Sequence, residues 1–212
     1  MTGLGLQIKT VQSNLMSDIR AKGNRLSTGF PGTSALIEYL AQHEPEMAYI
    51  IATQPNYPGW GYIVKSGASG MWETWDGSDS HNHTPFCLIS GYFYKYLAGI
   101  QPSVEYPGFK HIIINPSVTG DLTYVSAYHD SMYGRIESRW KRIDNKLYLD
   151  VVIPANTTAT IHIPTVSVTS VTESGKSASE VEGIKFHSFS NGKAVYSTVS
   201  GHYRFEADIA SR

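Results

Sequence analysis

The apolar residues of this chain change period near residue 100. Ile8, Val11, Leu15 and Ile19 step by three and four, as one face of a helix requires, and Gly23 is placed to stop it. Leu36, Ile37 and Leu40 predict a second short helix after Gly32-Thr33. Met47, Tyr49, Ile50 and Ile51 predict a third after Pro45. A fourth is marked by Thr84 at the N-cap, Pro85 at the first turn, the stripe Phe86, Ile89, Phe93 and Leu97, and Gly99 at its end. Cys87 lies beside that stripe and reads as a buried structural thiol. Residues 54–83 are too rich in Gly, Pro and Trp for a helix; long ordered connections of this kind often carry function.

Beyond about residue 101 the period is two. Leu147, Leu149, Val151 and Ile153 alternate with other side chains, Ile161 and Ile163 flank His162, and Ile136 and Trp140 share one face of "GRIESRWKR". Asp144-Asn145 and Asn191-Gly192 are turn signals between such runs. These short strands predict an antiparallel β-sandwich. The boundary falls near "AGIQPS", giving a helical part over 1–100 and a strand part over 101–212: an α+β, two-domain chain.

Composition narrows the functional classes. The net charge is −1 and no basic stripe is visible, so a nucleic-acid partner is not expected. No apolar run is long enough to span a membrane, and the N-terminus shows no signal-peptide pattern. The single cysteine excludes an intramolecular disulfide. There is no G-x-S-x-G, P-loop, dinucleotide fingerprint or H-E-x-x-H, and no cofactor is expected.

The densest functional cluster is "MWETWDGSDSHNH", Met71 to His83. Glu73 stands between Trp72 and Trp75, neighbours that would favour its protonated form and suit it to proton transfer. Indole rings beside carboxylates also suit sugars, whose C–H faces stack while polar groups take the hydroxyls. The bland alternative makes the tryptophans core and Glu73 and Asp76 solvated loop acids. A third reading takes Asp79, His81 and His83 as zinc ligands along an extended chain, but no second group with metal spacing accompanies them. No metal is therefore expected.

Longer motifs point to a family. "NRLSTGFPGT" (Asn24 to Thr33), "YPGWGYIVKSGASGMWETWDG" (Tyr57 to Gly77), "HNH", "YKYLAGI" (Tyr94 to Ile100), "PGFKHIIINP" (Pro107 to Pro116) and "IPANTTATIHIP" (Ile153 to Pro164) occur in one order. In that order the chain resembles the C-terminal part of a bacterial α-L-rhamnosidase. The resemblance implies the end of a six-hairpin (α/α)6 glycosidase barrel, followed by an antiparallel β-sandwich. It implies hydrolysis of terminal α-L-rhamnosides with inversion, Glu73 as catalytic base and His83 as a rhamnose contact. Trp60, Trp72 and Trp75 are candidate sugar platforms. Two departures accompany it. The connection from Glu73 to His83 is short for the family. The upstream D-x-x-x-R-E-x-x-W motif that carries the general acid is absent, and about four helices stand where a barrel needs about twelve. The chain alone is therefore expected to be inactive, with a second copy or a companion chain covering the open barrel face. The competing reading is a non-catalytic carbohydrate-binding or structural protein that keeps the scaffold.

Overall fold

A computed structural model describes residues 3–211, with side chains from residue 8 onward. The chain forms two compact units, Met1–Ser90 and Gly91–Arg212.

The first unit is helical. α1 (Gly3–Ala21) stops short of Gly23, whose N–H bonds the carbonyl of Arg20 while that of Asn24 reaches back to Ile19. Of the predicted stripe, Ile19 is buried but Ile8 and Val11 are exposed; Met16 joins Ile19 on the inner side. α2 (Phe30–His43) and α3 (Pro45–Thr53) each begin with a proline in the first turn, where a missing N–H costs nothing. They bury Ile37, Leu40, Ala48 and Ile51. One expectation fails in this unit. The supposedly non-helical 54–83 segment contains a short helix, α4 (Trp60–Lys65), which buries Trp60 and Ile63. Two buried apolar side chains one turn apart outweigh its glycine.

The predicted fourth helix is present in three different windings. Pro85–Cys87 is a 3-10 turn, α5 spans Leu88–Tyr92, and Phe93–Leu97 is a π-helix. Thr84 is itself in the helical region and makes no capping hydrogen bond, so it does not act as the expected N-cap. The extra residue of the π segment rotates the stripe: Tyr92, Tyr96 and Leu97 are buried and Phe93 is exposed. Cys87 is also exposed, against expectation, because the tight 3-10 turn aims Phe86 inward and its neighbour out.

The second unit is a sandwich of two sheets. The five-stranded sheet has the order β1-β2-β6-β10-β9. Its strands are β1 (Ile100–Pro102), β2 (His111–Ile114), β6 (Thr158–Pro164), β9 (Ile184–Ser190) and β10 (Lys193–Thr198). The six-stranded sheet has the order β3-β4-β5-β11-β7-β8. It is built from β3 (Tyr124–Ser131), β4 (Gly134–Ile143), β5 (Lys146–Ile153), β7 (Thr172–Glu173), β8 (Lys176–Ser177) and β11 (Gly201–Asp208). Both predicted turns join hairpins, Asp144-Asn145 between β4 and β5 and Asn191-Gly192 between β9 and β10. The pairing is antiparallel except between β2 and β6, which run parallel. Among the described residues beyond 100, the helical content is confined to single 3-10 turns at Val168–Ser170 and Ala178–Glu180.

The core lies between the sheets. Ile112, Ile114, Ile161 and Tyr196 meet Ile136, Trp140, Leu147, Leu149 and Phe205. Two polar tips of the β4 strand are satisfied by the chain entering the sheet: Trp140 Nε1 donates to Leu97 O at 2.8 Å and Ser138 Oγ to Ala98 O at 2.7 Å. Gly99 follows with φ +81°, and a Cβ there would collide with the backbone of Asn115 and Pro116. Only glycine permits both that conformation and that approach.

Candidate active site

The Met71–His83 stretch closes on itself through its backbone. The N–H of Glu73 donates to Ser80 O at 2.8 Å, and that of His83 donates to Met71 O at 2.9 Å. Residues 71–73 and 80–83 therefore run side by side, and the short connection is the device that brings Glu73 and His83 together. His83 Nε2 stands 4.0 Å from Glu73 Oε1, with both side chains about one-third exposed. That is too long for a direct hydrogen bond. Nδ1 of His83 is buried without a partner, and its ring meets Phe30 edge to face at 5.9 Å.

The tryptophans hold this loop from beneath. Trp60, Trp72 and Trp75 are 4%, 8% and 8% exposed. Trp75 stacks on Phe86 at 3.7 Å, meets Trp60 edge to face at 5.3 Å, and donates Nε1–H to Thr28 O at 2.9 Å. Trp60 donates to Phe86 O at 2.9 Å. Trp72 stacks on His81 at 5.1 Å, and His81 Nε2 is 2.9 Å from Gly77 O. The three motifs around residues 28, 60 and 75 thus meet in one aromatic knot. All three rings are packed and largely closed to water; of the three candidate platforms, Trp75 has an edge on the neighbouring cleft.

Above the knot lies an open cleft of about 470 Å³. Glu73 and Trp75 line it, with Phe30, Tyr57, Asp76 and Phe86. His83 is not itself in the lining; it adjoins Glu73 and Phe30, which are. Phe30 and Tyr57 were not picked out from the sequence. The available signal was an aromatic residue followed by proline and glycine, in "GFPGT" and "NYPGW".

Asp76 is spoken for. Its Oδ1 accepts from the Ser78 hydroxyl at 2.9 Å and the Ser78 N–H at 3.1 Å. These bonds, the hydroxyl first, hold its carboxyl below the usual range. A group so stabilised as the anion is a turn-forming acceptor and a poor proton donor. The alternation of Asp79, His81 and His83 does not converge either: His81 turns to Trp72 and His83 to Glu73. Among the described residues no three His, Cys, Asp or Glu side chains are grouped as a metal would need.

This arrangement, an ionisable carboxylate and an imidazole flanking an aromatic-walled cleft, suits general-base activation of water beside a bound sugar. Known proteins that resemble this chain give its family. The bacterial alpha-L-rhamnosidase six-hairpin glycosidase domain matches residues 3–97, and the bacterial alpha-L-rhamnosidase C-terminal domain matches residues 99–178. An alpha-L-rhamnosidase of Formosa agariphila is 30% identical over 94% of this chain and 23% of its own length. The crystal structure of Streptomyces avermitilis alpha-L-rhamnosidase complexed with L-rhamnose superposes with a TM-score of 0.84 at 29% identity, over 92% of this chain and 19% of that one. The alpha-L-rhamnosidase of Dictyoglumus thermophilum gives 0.82 at 29% identity, over 93% and 23%. The chain therefore spans about a fifth of the length of the relatives it matches. It belongs to the bacterial α-L-rhamnosidase family and corresponds to that family's C-terminal part, the end of the helical barrel with the β-sandwich.

Proposed function

We propose that this chain supplies the base side of an α-L-rhamnosidase active site. Glu73 lining an open cleft, with the His83 imidazole 4.0 Å from its carboxylate, is the observation that carries the reading. Residues 1–100 are the barrel end and 101–212 the sandwich domain. A terminal α-L-rhamnoside enters the cleft against Trp75. Glu73 takes a proton from a water on the face opposite the leaving group, and the configuration inverts. A second carboxylic acid, about 6.5–9.5 Å away to leave room for the water, protonates the glycosidic oxygen. That acid comes from the rest of the barrel, on a companion chain, a second copy or a longer form of this polypeptide. His83 binds the sugar through Nε2, the ring nitrogen that faces Glu73, and the 4.0 Å between them leaves room for an oxygen that touches both. Two carboxylates and water complete the reaction without a cofactor.

The test is a chimera in which this chain replaces the corresponding segment of the Streptomyces avermitilis enzyme. A folded chimera should hydrolyse an aryl α-L-rhamnoside and lose that turnover with Glu73→Gln. A folded chimera without turnover, or with turnover indifferent to Glu73→Gln, overturns the reading.

A further inference from the structure

The six-stranded sheet has a second face, turned away from the sandwich core, which the cleft chemistry does not use. The cross-strand register sets its rows. Tyr124 of β3 pairs with Lys141, Lys141 with Tyr148, and Tyr148 with Glu206. The next row is Ser126, Arg139, Asp150 and Arg204. Residues directly opposite in a ladder share a face, so the two tyrosines lie on one surface, two strand spacings or about 10 Å apart. Tyr124 is 68% exposed and Tyr148 36%. Tyr128 of the same face has its ring covered by the Arg135 guanidinium at 4.0 Å; among the described residues no such cation or ring covers Tyr124 or Tyr148. Beside Tyr148 a groove of about 460 Å³ opens, lined by Arg139, Asp150, His202, Arg204 and Glu206.

We propose that this face is a carbohydrate-binding surface, separate from the Glu73 cleft, that takes a neutral glycan chain laid across β3, β4, β5 and β11. Two exposed rings about two linked pyranoses apart offer stacking platforms for alternate sugar units. The polar groups between them are suited to hydroxyls. Asp150 Oδ1 is shared between Arg204 at 3.5 Å and His202 at 3.7 Å, contacts long and exposed enough to be exchanged for hydroxyl hydrogen bonds with little loss. Guanidinium and carboxylate side by side give the donor-and-acceptor pairing that a vicinal diol requires. The charges decide against a polyanion. Lys141, Arg139, Arg135, Arg204 and Lys146 are matched on this face by Asp130, Glu137, Asp150, Glu206 and Asp208, five against five, so an acidic polymer or a nucleic acid finds no net attraction.

The test is migration of the 212-residue chain through native gels containing arabinoxylan, mixed-linkage β-glucan, galactomannan or polygalacturonate. Retardation by at least one neutral polysaccharide is expected. It should persist in Glu73→Gln, which separates this surface from the cleft, and in the Tyr124→Phe/Tyr148→Phe pair, which keeps both rings. The Tyr124→Ala/Tyr148→Ala pair should abolish it. If that pair fails to fold, Arg204→Ala, a change at a highly exposed side chain, should weaken retardation severalfold. Unchanged migration in every neutral gel overturns the proposal. So does retardation by polygalacturonate alone, or retardation that survives both the alanine pair and Arg204→Ala.

Discussion

His83 Nε2 sits 4.0 Å from Glu73 Oε1, and the two residues are held there by backbone hydrogen bonds of their own, from Glu73 to Ser80 and from His83 to Met71. The pair is thus placed by main chain and not by its own attraction. Neither side chain is consumed by the other, and an oxygen between them can contact both. A base that must accept a proton from water needs this freedom, since a carboxylate fully bonded as an anion gives up basicity.

This geometry separates the roles of the two residues. In a complete barrel, Glu73→Gln keeps the shape and removes the proton acceptor, so kcat should fall about 10²–10⁴-fold with KM little changed. On the proposed reading His83→Ala removes a hydrogen bond to an uncharged sugar, worth about 1 kcal/mol, and should appear chiefly as a roughly fivefold rise in KM. Steady-state kinetics on an aryl α-L-rhamnoside distinguishes the two patterns.

Gly77 is the turn on which the loop depends. Its φ is +71°, and a Cβ would approach Trp72 Cε3 to 2.9 Å. Trp72 cannot retreat, because it is buried and stacked on His81. Gly77→Ala should therefore destabilise the helical unit by about 1–3 kcal/mol. Chemical denaturation of the variant against the parent chain measures this; equal midpoints would refute it.

Where the sequence was legible, a local rule and the tertiary structure agreed. Leu147, Leu149, Val151 and Ile153 alternate in the sequence and are all buried in β5, while Asn191-Gly192 makes the tight turn it announces. The misreadings have a common cause. Thr84-Pro85 looks like a helix start, but packing of Phe86 against Trp75 fixes a 3-10 turn there. The parallel pairing of β2 with β6 joins residues 47 positions apart, and no local pattern encodes direction. At the candidate site, the motif singles out Glu73 and His83, and the fold brings them to 4.0 Å. Phe30 and Tyr57 were not singled out, because a cleft wall is assembled from loops distant in sequence. The tryptophans illustrate the ambiguity of aromatic residues: the same ring serves a core or a sugar, and only burial decides.

Lys193 gives the sandwich a pH dependence of definite sign. Burial lowers its pKa from 10.5 to about 8, while its ammonium donates to Asn115 Oδ1 at 2.6 Å and Pro116 O at 3.0 Å. Between those two pKa values the unfolded chain binds the proton that the folded chain has released, so stability should rise with pH from about 8 toward 10.5, by up to ~3 kcal/mol. Burial raises the pKa of Tyr196 and Tyr203, whose contribution falls away above their ordinary value of 10, so the measurement belongs below that pH. On the acid side, burial depresses His162, aided by the charge of Lys193, and His111. Their contribution is complete above 6.5 and is lost as pH falls below it. Denaturation midpoints of the parent and Lys193→Met across pH 7.5–9.5 test the first part: the parent should gain stability and the variant should lack that slope.

The last prediction is that the 212-residue chain alone does not hydrolyse rhamnosides. Inverting hydrolysis needs an acid and a base on opposite sides of the bond, and the two act as a unit, so one without the other leaves little rate. On the proposed reading Glu73 is the base. Asp76, its neighbour in the cleft, is held as an anion by Ser78 and is unsuited to hold a proton for the leaving group. The helical unit also leaves large apolar side chains in water: Ile8, Val11, Phe30, Tyr57 and Val64 are all exposed. Association that buried such side chains would gain roughly 25 cal/mol per Å² before its entropic cost. The purified chain should therefore show no turnover of an aryl α-L-rhamnoside, and light scattering should give a mass above that of one chain. Turnover abolished by Glu73→Gln would refute the first half, and would mean that an acid is supplied within this chain or by a second copy of it. A strictly monomeric mass at every concentration tested would refute the second.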